Sequence, residues 1–191
     1  MKKKLCLLFC IAAMAFGMKA QNVALKTNLL YDATATANLG LEFGLSRKWT
    51  LDISGDYNGW TVKGAKWKHW FAQPEARYWF CDRFSKGFFA IHAIGGQYNI
   101  GDFPTDFKLF GIDLHKFQQH RYQGWGAGGG IGVGYDVILG DHWNLEFEIA
   151  VGYVYLKYDE YNCGDCGRKT DENTRHYYGP TKAAINLVYI F

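Results

Sequence analysis

In Trp143 to Lys157, WNLEFEIAVGYVYLK, the odd positions hold Trp143, Leu145, Phe147, Ile149, Val151, Tyr153 and Tyr155, and the even ones begin Asn144, Glu146, Glu148. Successive side chains of a strand point to opposite faces, so an extended chain here carries oil on one side and carboxylates on the other. The stretch WTLDISGDYNG repeats the pattern, with Trp49, Leu51, Ile53 and Tyr57 against Thr50, Asp52, Ser54, Asp56 and Asn58. Such segments predict a β-sheet whose two faces meet different media.

Eight blocks of this kind are expected, at 22–31, 36–45, 49–59, 69–80, 87–97, 124–139, 143–157 and 178–191. Each is about ten residues or longer, the length a tilted strand needs to cross a bilayer. Tight turns at 46–48, 81–86 and 140–142 alternate with the connections 32–35, 60–68, 98–123 and 158–177, of which only the first is short. Short turns on one side and longer loops on the other are the habit of outer-membrane barrels. With the N-terminus periplasmic, every long loop falls outside. The expected fold class is all-β: an eight-stranded antiparallel transmembrane β-barrel.

Aromatics near strand ends (Trp49 and Tyr57, Trp143 and Tyr155, Tyr189 and Phe191) would form two interfacial girdles on the lipid face. The other face gathers Lys26, Asn28, Glu42, Asp52, Asp56, Glu75, Arg77, Asp136, Glu146, Glu148 and Lys182. The ten charged residues of this set are expected to form a lumen charge network. A soluble lipocalin-type barrel would put apolar groups inside, and unpaired carboxylates there would cost several kcal/mol each.

GWGAGGGIGVGYDV contains G-x-G-x-x-G at Gly124, Gly126 and Gly129. A nucleotide loop needs a strand before it and a helix after it, but FQQHRYQ precedes it and period-two alternation follows. Glycine instead recurs at every even position from Gly124 to Gly134, ahead of Asp136. An eight-stranded barrel is just wide enough to be filled by side chains. A glycine wall there leaves the axis to long groups from facing strands, Arg77 or Glu148 among them. A plugged lumen is expected, with a small pocket as the alternative.

Residues 1–20 read as a secretory signal peptide, with Lys2 to Lys4 basic, Leu5 to Met18 apolar and Ala20 preceding Gln21. Residues 21–191 then form one barrel domain. The leader takes four of the 21 basic residues, leaving 17 against 18 acidic ones, so no electrostatic footprint for nucleic acid remains. Cys81, Cys163 and Cys166 stay with the mature chain, an odd number for an oxidising compartment.

The last strand, AAINLVYIF, ends with Tyr189 and Phe191 on one face, similar to the C-terminal insertion signal of outer-membrane proteins. KTNLLYDATATANLGLEFGL, from Lys26 to Leu45, with WTLDISGDYN and EARYWF, resembles the opening of a family of uncharacterised Bacteroidota outer-membrane barrels, a domain of unknown function. The resemblance runs to Phe191. It implies an OmpA/OmpX-like eight-stranded barrel in the outer membrane of a Gram-negative bacterium, and a surface role linked to envelope or fimbrial assembly.

No catalytic residue, cofactor or metal is expected, and the chain is not read as an enzyme. Cys163-Gly-Asp-Cys166 is read first as a local disulfide or a free pair, then as a metal site with His176, and last as a redox motif. The expected partners are outer-membrane lipid, the barrel-assembly machinery, and a surface or fimbrial protein reached through the outer loops. The apolar residues of the loop GDFPTDFKLFGIDLHKFQQHRYQ suit such a contact or a cover over the mouth. The rival readings are a lipid-modifying enzyme, built on Asp56, His69, Asp102, His120 and Asp159, and a small-ligand or transport barrel.

Overall fold

A computed structural model describes residues 23–62, 65–101, 108–109, 112–113, 121–161 and 169–191. The eight long strands are β1 (Val23–Asn28), β2 (Ala37–Gly44), β3 (Trp49–Asn58), β4 (Ala65–Trp79), β5 (Lys86–Gly101), β6 (Arg121–Ile138), β7 (Trp143–Tyr161) and β8 (Lys169–Ile190). A helical turn, α1 (Leu29–Ala33), joins β1 to β2. Every neighbour pairs antiparallel, and β1 pairs with β8 through Ala24–Ile190 to Asn28–Asn186, so the sheet closes into a ring. A closed sheet leaves no edge along the paired stretch.

Two prolines mark local interruptions. The β4–β5 ladder skips from Ala72–Gly95 to Glu75–His92 around Pro74, which has no N–H to donate. On β8 the pairing moves from Ala150–Lys182 to Val151–Pro180, making Thr181 the extra residue of a bulge.

The ring has one apolar and one polar face, split by parity. Leu39, Ile53, Ile91, Ile131, Val133, Ile149 and Val151 point out and are exposed. Glu42, Asp52, Glu75, Arg77, Glu146 and Glu148 point in and are buried.

The tight-turn end of the bore is stoppered by oil. Trp79, Phe84 and Phe88 pack with Ala24, Ala90 and Val188, the Trp79 and Phe88 rings standing 4.7 Å apart. Phe84 comes from the turn between β4 and β5. Its φ of 58° turns the backbone left-handed, an uncommon state for a bulky residue. Asn144 Nδ2 donates to the Phe84 carbonyl at 2.9 Å and pins it there.

Several expected boundaries move. The first strand stops at Asn28, not 31, because the Asn28 side chain accepts from Leu30 N–H and caps α1. The expected loop 158–177 is in its described parts strand: β7 runs to Tyr161 and β8 starts at Lys169. Likewise β4 begins at Ala65, β5 reaches Gly101 and β6 begins at Arg121. Those of β7 and β8 carry polar groups on both sides, so no alternation announces them.

Candidate functional site

The register sets up an electrostatic conflict. Glu42 stands opposite Asp52, and Asp52 opposite Glu75, so three carboxylates lie side by side across β2, β3 and β4. Like charges directly opposed across strands repel. One side chain resolves it. Arg77, fully buried, reaches Glu42 and Glu146 through Nη1 (2.9 and 2.7 Å), Asp52 and Glu148 through Nη2 (3.1 and 2.7 Å) and Glu75 through Nε (2.5 Å). A planar guanidinium with five donors suits a ring of acceptors, and its carbon rests 4.5 Å from the centre of the Phe88 ring.

Two lysines flank it. Lys26 pairs with Glu42, and with Glu146 at 2.8 Å; Lys182 bridges Glu75 and Glu148 at 2.9 and 3.0 Å. Neutral groups finish the network. Thr50 donates to Glu42 and accepts from Trp79 Nε1 at 2.9 Å, and Asn186 donates to Glu146 at 2.7 Å. Asp136, nearer the turn end, accepts from Asn144 at 2.9 Å.

All ten charged residues named from the sequence therefore point into the ring. Arg77 does reach across the bore, as expected of a long group facing a glycine wall, but other groups stand closest to the glycines themselves. A Cβ on Gly134 would strike the Phe88 ring, and one on Gly130 would meet the Val151 carbonyl at 2.5 Å, the Thr181 hydroxyl at 2.8 Å and His92 Cε1 at 2.9 Å. Sequence reasoning had Thr50 and Asn144 on the polar face but gave them no role, and it missed Gln73, His92 and Asn186, which are buried with them. It missed the apolar stopper as well.

Towards the loop end lies a cleft of about 30 Å³, lined by Lys26, Asn28, Tyr31, Asp52, Asp56 and Lys182 among others. The KTNLLYD stretch builds its wall. Lys26 enters the network and Asn28 caps α1; Asp32 is held by Thr27 (2.9 Å) and Asn38 (2.8 Å). α1 thereby carries Tyr31 to the cleft, where burial and the Asp56 charge push its hydroxyl up to about 12. His69 Nε2 lies 3.4 Å from Asp56 Oδ1.

Of the other residues singled out, Asp102, His120, Cys163 and Cys166 lie outside the described residues, as do residues 1–20. Asp159 pairs instead with Lys169 at 2.7 Å. His176 is on β8 rather than in a loop, its Nδ1 2.7 Å from the Tyr153 hydroxyl. Tyr189 packs edge-on against Trp143 and Phe191 at the turn end.

The sequence model of the family described as "Protein of unknown function (DUF3575)" matches residues 6–191. The chain belongs to this family. No curated protein matches it. In this DUF3575 member the Lys26 to Leu45 stretch thus supplies one internal cation, one helix cap and one wall of a cleft.

The exposed ribbon of β7 and β8 carries a second ionic set. Glu172 pairs with Lys157 at 2.6 Å and Lys169 at 3.1 Å. Their hydrogen bonds, that of Lys157 foremost, hold its carboxyl down at about 2, below the usual 4.5. A depressed carboxyl contributes stability above its unfolded pKa and loses it as pH falls through the folded one. Between pH 4.5 and 2, amide exchange in residues 170–174, corrected for intrinsic rates, should therefore quicken modestly, as exposed pairs are weak. Unchanged protection across that window refutes the assignment.

Proposed function

We propose that the ring is an eight-stranded transmembrane β-barrel of a Gram-negative outer membrane, with a closed polar lumen and a structural or adhesive role at the cell surface. One observation carries this reading. Over the band from Trp49 to Tyr57, and at the same level round the ring, no outward position of the eight strands holds Asp, Glu, Lys or Arg, while the inward positions hold ten, nine of them buried. A patch of that extent is far beyond what soluble monomers expose.

The aromatics support two girdles. Trp49, Tyr78, Trp143, Tyr189 and Phe191 gather at the turn end. Tyr57 with Trp60, and Trp125 with Tyr155, gather at the loop end. Trp49 and Tyr57 are about 26 Å apart along a strand rising ~3.3 Å per residue; tilt brings that close to the height of a barrel's apolar band. The turn end then faces the periplasm, and α1 and the β7–β8 ribbon face outwards.

The Trp79–Phe84–Phe88 stopper and the Arg77 network leave no through path in this reading. Unboiled protein should migrate apart from boiled protein on a detergent gel, and planar bilayers should show at most rare, small conductance steps. Large, stable openings would defeat the closed lumen; absence of a gel shift would count against the barrel itself. Surface function is tested by deleting the gene and measuring adhesion, surface-fibre assembly and envelope leakage. Unaltered lipid A after overexpression is expected, against an enzyme built on Asp56 and His69.

A further inference from the structure

Beyond the loop-end aromatics, the register lines up the outward residues of β4, β5 and β6 in rows. Trp70, Gln97 and Trp125 pair across the three strands, and Trp70 Nε1 donates to Gln97 Oε1 at 3.3 Å. The next outward row is Lys68, Asn99 and Gln123. In the row after that Lys66 pairs with Gly101, and a Cβ on Gly101 would lie 3.1 Å from Arg121 Cβ on the far side. On β7, Lys157 pairs with Trp125 and Tyr161 with Arg121, whose guanidinium carbon rests 4.3 Å from the centre of the Tyr161 ring.

The face is one-sided in charge. Among the described residues, the outward positions of β4, β5 and β6 hold Lys66, Lys68 and Arg121 but no Asp or Glu. On β7 and β8, Lys157 and Lys169 join them, paired with Asp159 and Glu172. Five positive groups thus stand with two negative ones. Across the ring, residues 29–41 and 55–61 hold no Lys or Arg.

We propose, building on the transmembrane reading, that this face docks the phosphorylated headgroup of an anionic glycolipid of the outer leaflet, of the lipid A kind. Trp70 and Trp125 are 45% and 44% exposed and belong to the loop-end girdle, and such rings sit at headgroup level. The cations begin one outward residue, about 7 Å of strand, beyond them, where a lipid carries its phosphates rather than its chains. Clustered Lys and Arg at that depth attract anionic headgroups. Stacking on Tyr161 holds the Arg121 guanidinium, a weakly hydrated group suited to phosphate. From Trp125 to Arg121, and from β4 to β7, the patch spans about 13 Å by 14 Å. That footprint fits a headgroup of two sugars and two phosphates better than a single phosphate.

The test uses the full chain folded in a zwitterionic detergent and immobilised. Retained lipid is measured against the concentration of diphosphoryl lipid A, its dephosphorylated form or phosphatidylglycerol. Diphosphoryl lipid A should bind at least about tenfold tighter than either of the others, and less tightly as salt rises. Lys66→Gln, Lys68→Gln and Arg121→Gln together should weaken it about 100-fold. Arg47→Gln, Lys48→Gln and Arg83→Gln at the turn end remove the same charge and should leave it unchanged. Equal binding of all three lipids, or equal losses in the two triple variants, reduces the effect to general attraction and overturns the site. The gel shift on the same samples reports on the barrel separately. A shifted band without lipid A binding defeats the docking face alone, whereas loss of the shift defeats the transmembrane reading.

Discussion

Arg77→Leu is expected to prevent the ring from reaching its folded form. Five carboxylates from four strands converge on this guanidinium, and a leucine would leave them facing one another with only the two lysines between. Removing one partner of a buried ion pair costs about 3–5 kcal/mol, a large part of the roughly 5–15 kcal/mol that holds a domain together. The measurement is the fraction of chain giving the heat-sensitive band, followed by the urea midpoint of whatever folds. Arg77→Lys should fall between, because an ammonium restores the charge but not the five-donor fork. Adding Glu146→Gln to Arg77→Leu should recover part of the loss, since it removes one of the stranded carboxylates. A wild-type midpoint for Arg77→Leu would mean that the network is ornamental.

The second large effect lies on the opposite face. Ile149 is 67% exposed and stands midway between Trp143 and Tyr155 on β7. On a water-soluble ring, Ile149→Arg would be harmless and would aid solubility. In a lipid-facing band it should cost about 2–4 kcal/mol, the toll for arginine near the bilayer midplane. Ile149→Leu should be neutral, as should Thr174→Arg on the ribbon beyond the band. Equilibrium unfolding from lipid vesicles measures all three. An Ile149→Arg protein as stable as the parent would mean that the apolar band does not face lipid.

The strand content could be read from the chain because the two faces of each strand differ so sharply. Alternation located β2, β3 and the paired core of β7 to within a residue or two. It failed where that contrast ends. From Tyr158 to Tyr161 and from Lys169 to Tyr177 both faces carry polar groups, and the ladder there is held by backbone pairing that leaves no trace in hydropathy. Inward parity was equally legible, but ion-pair partners were not. Lys26 meets Glu146 across 120 positions of sequence only because the sheet closes with one particular register. Phe84 was unreadable for another reason: its inward turn depends on a left-handed backbone at a residue that gives no hint of it.

Strand length climbs from six residues in β1 to 22 in β8, and ring closure welds the shortest strand to the longest. The cylinder therefore has a lopsided parapet, low over β1 to β3 and high over β6 to β8. Among the described residues that end is a step with a handedness rather than a level rim, so opposite rotational settings of anything resting on these strands would not be equivalent.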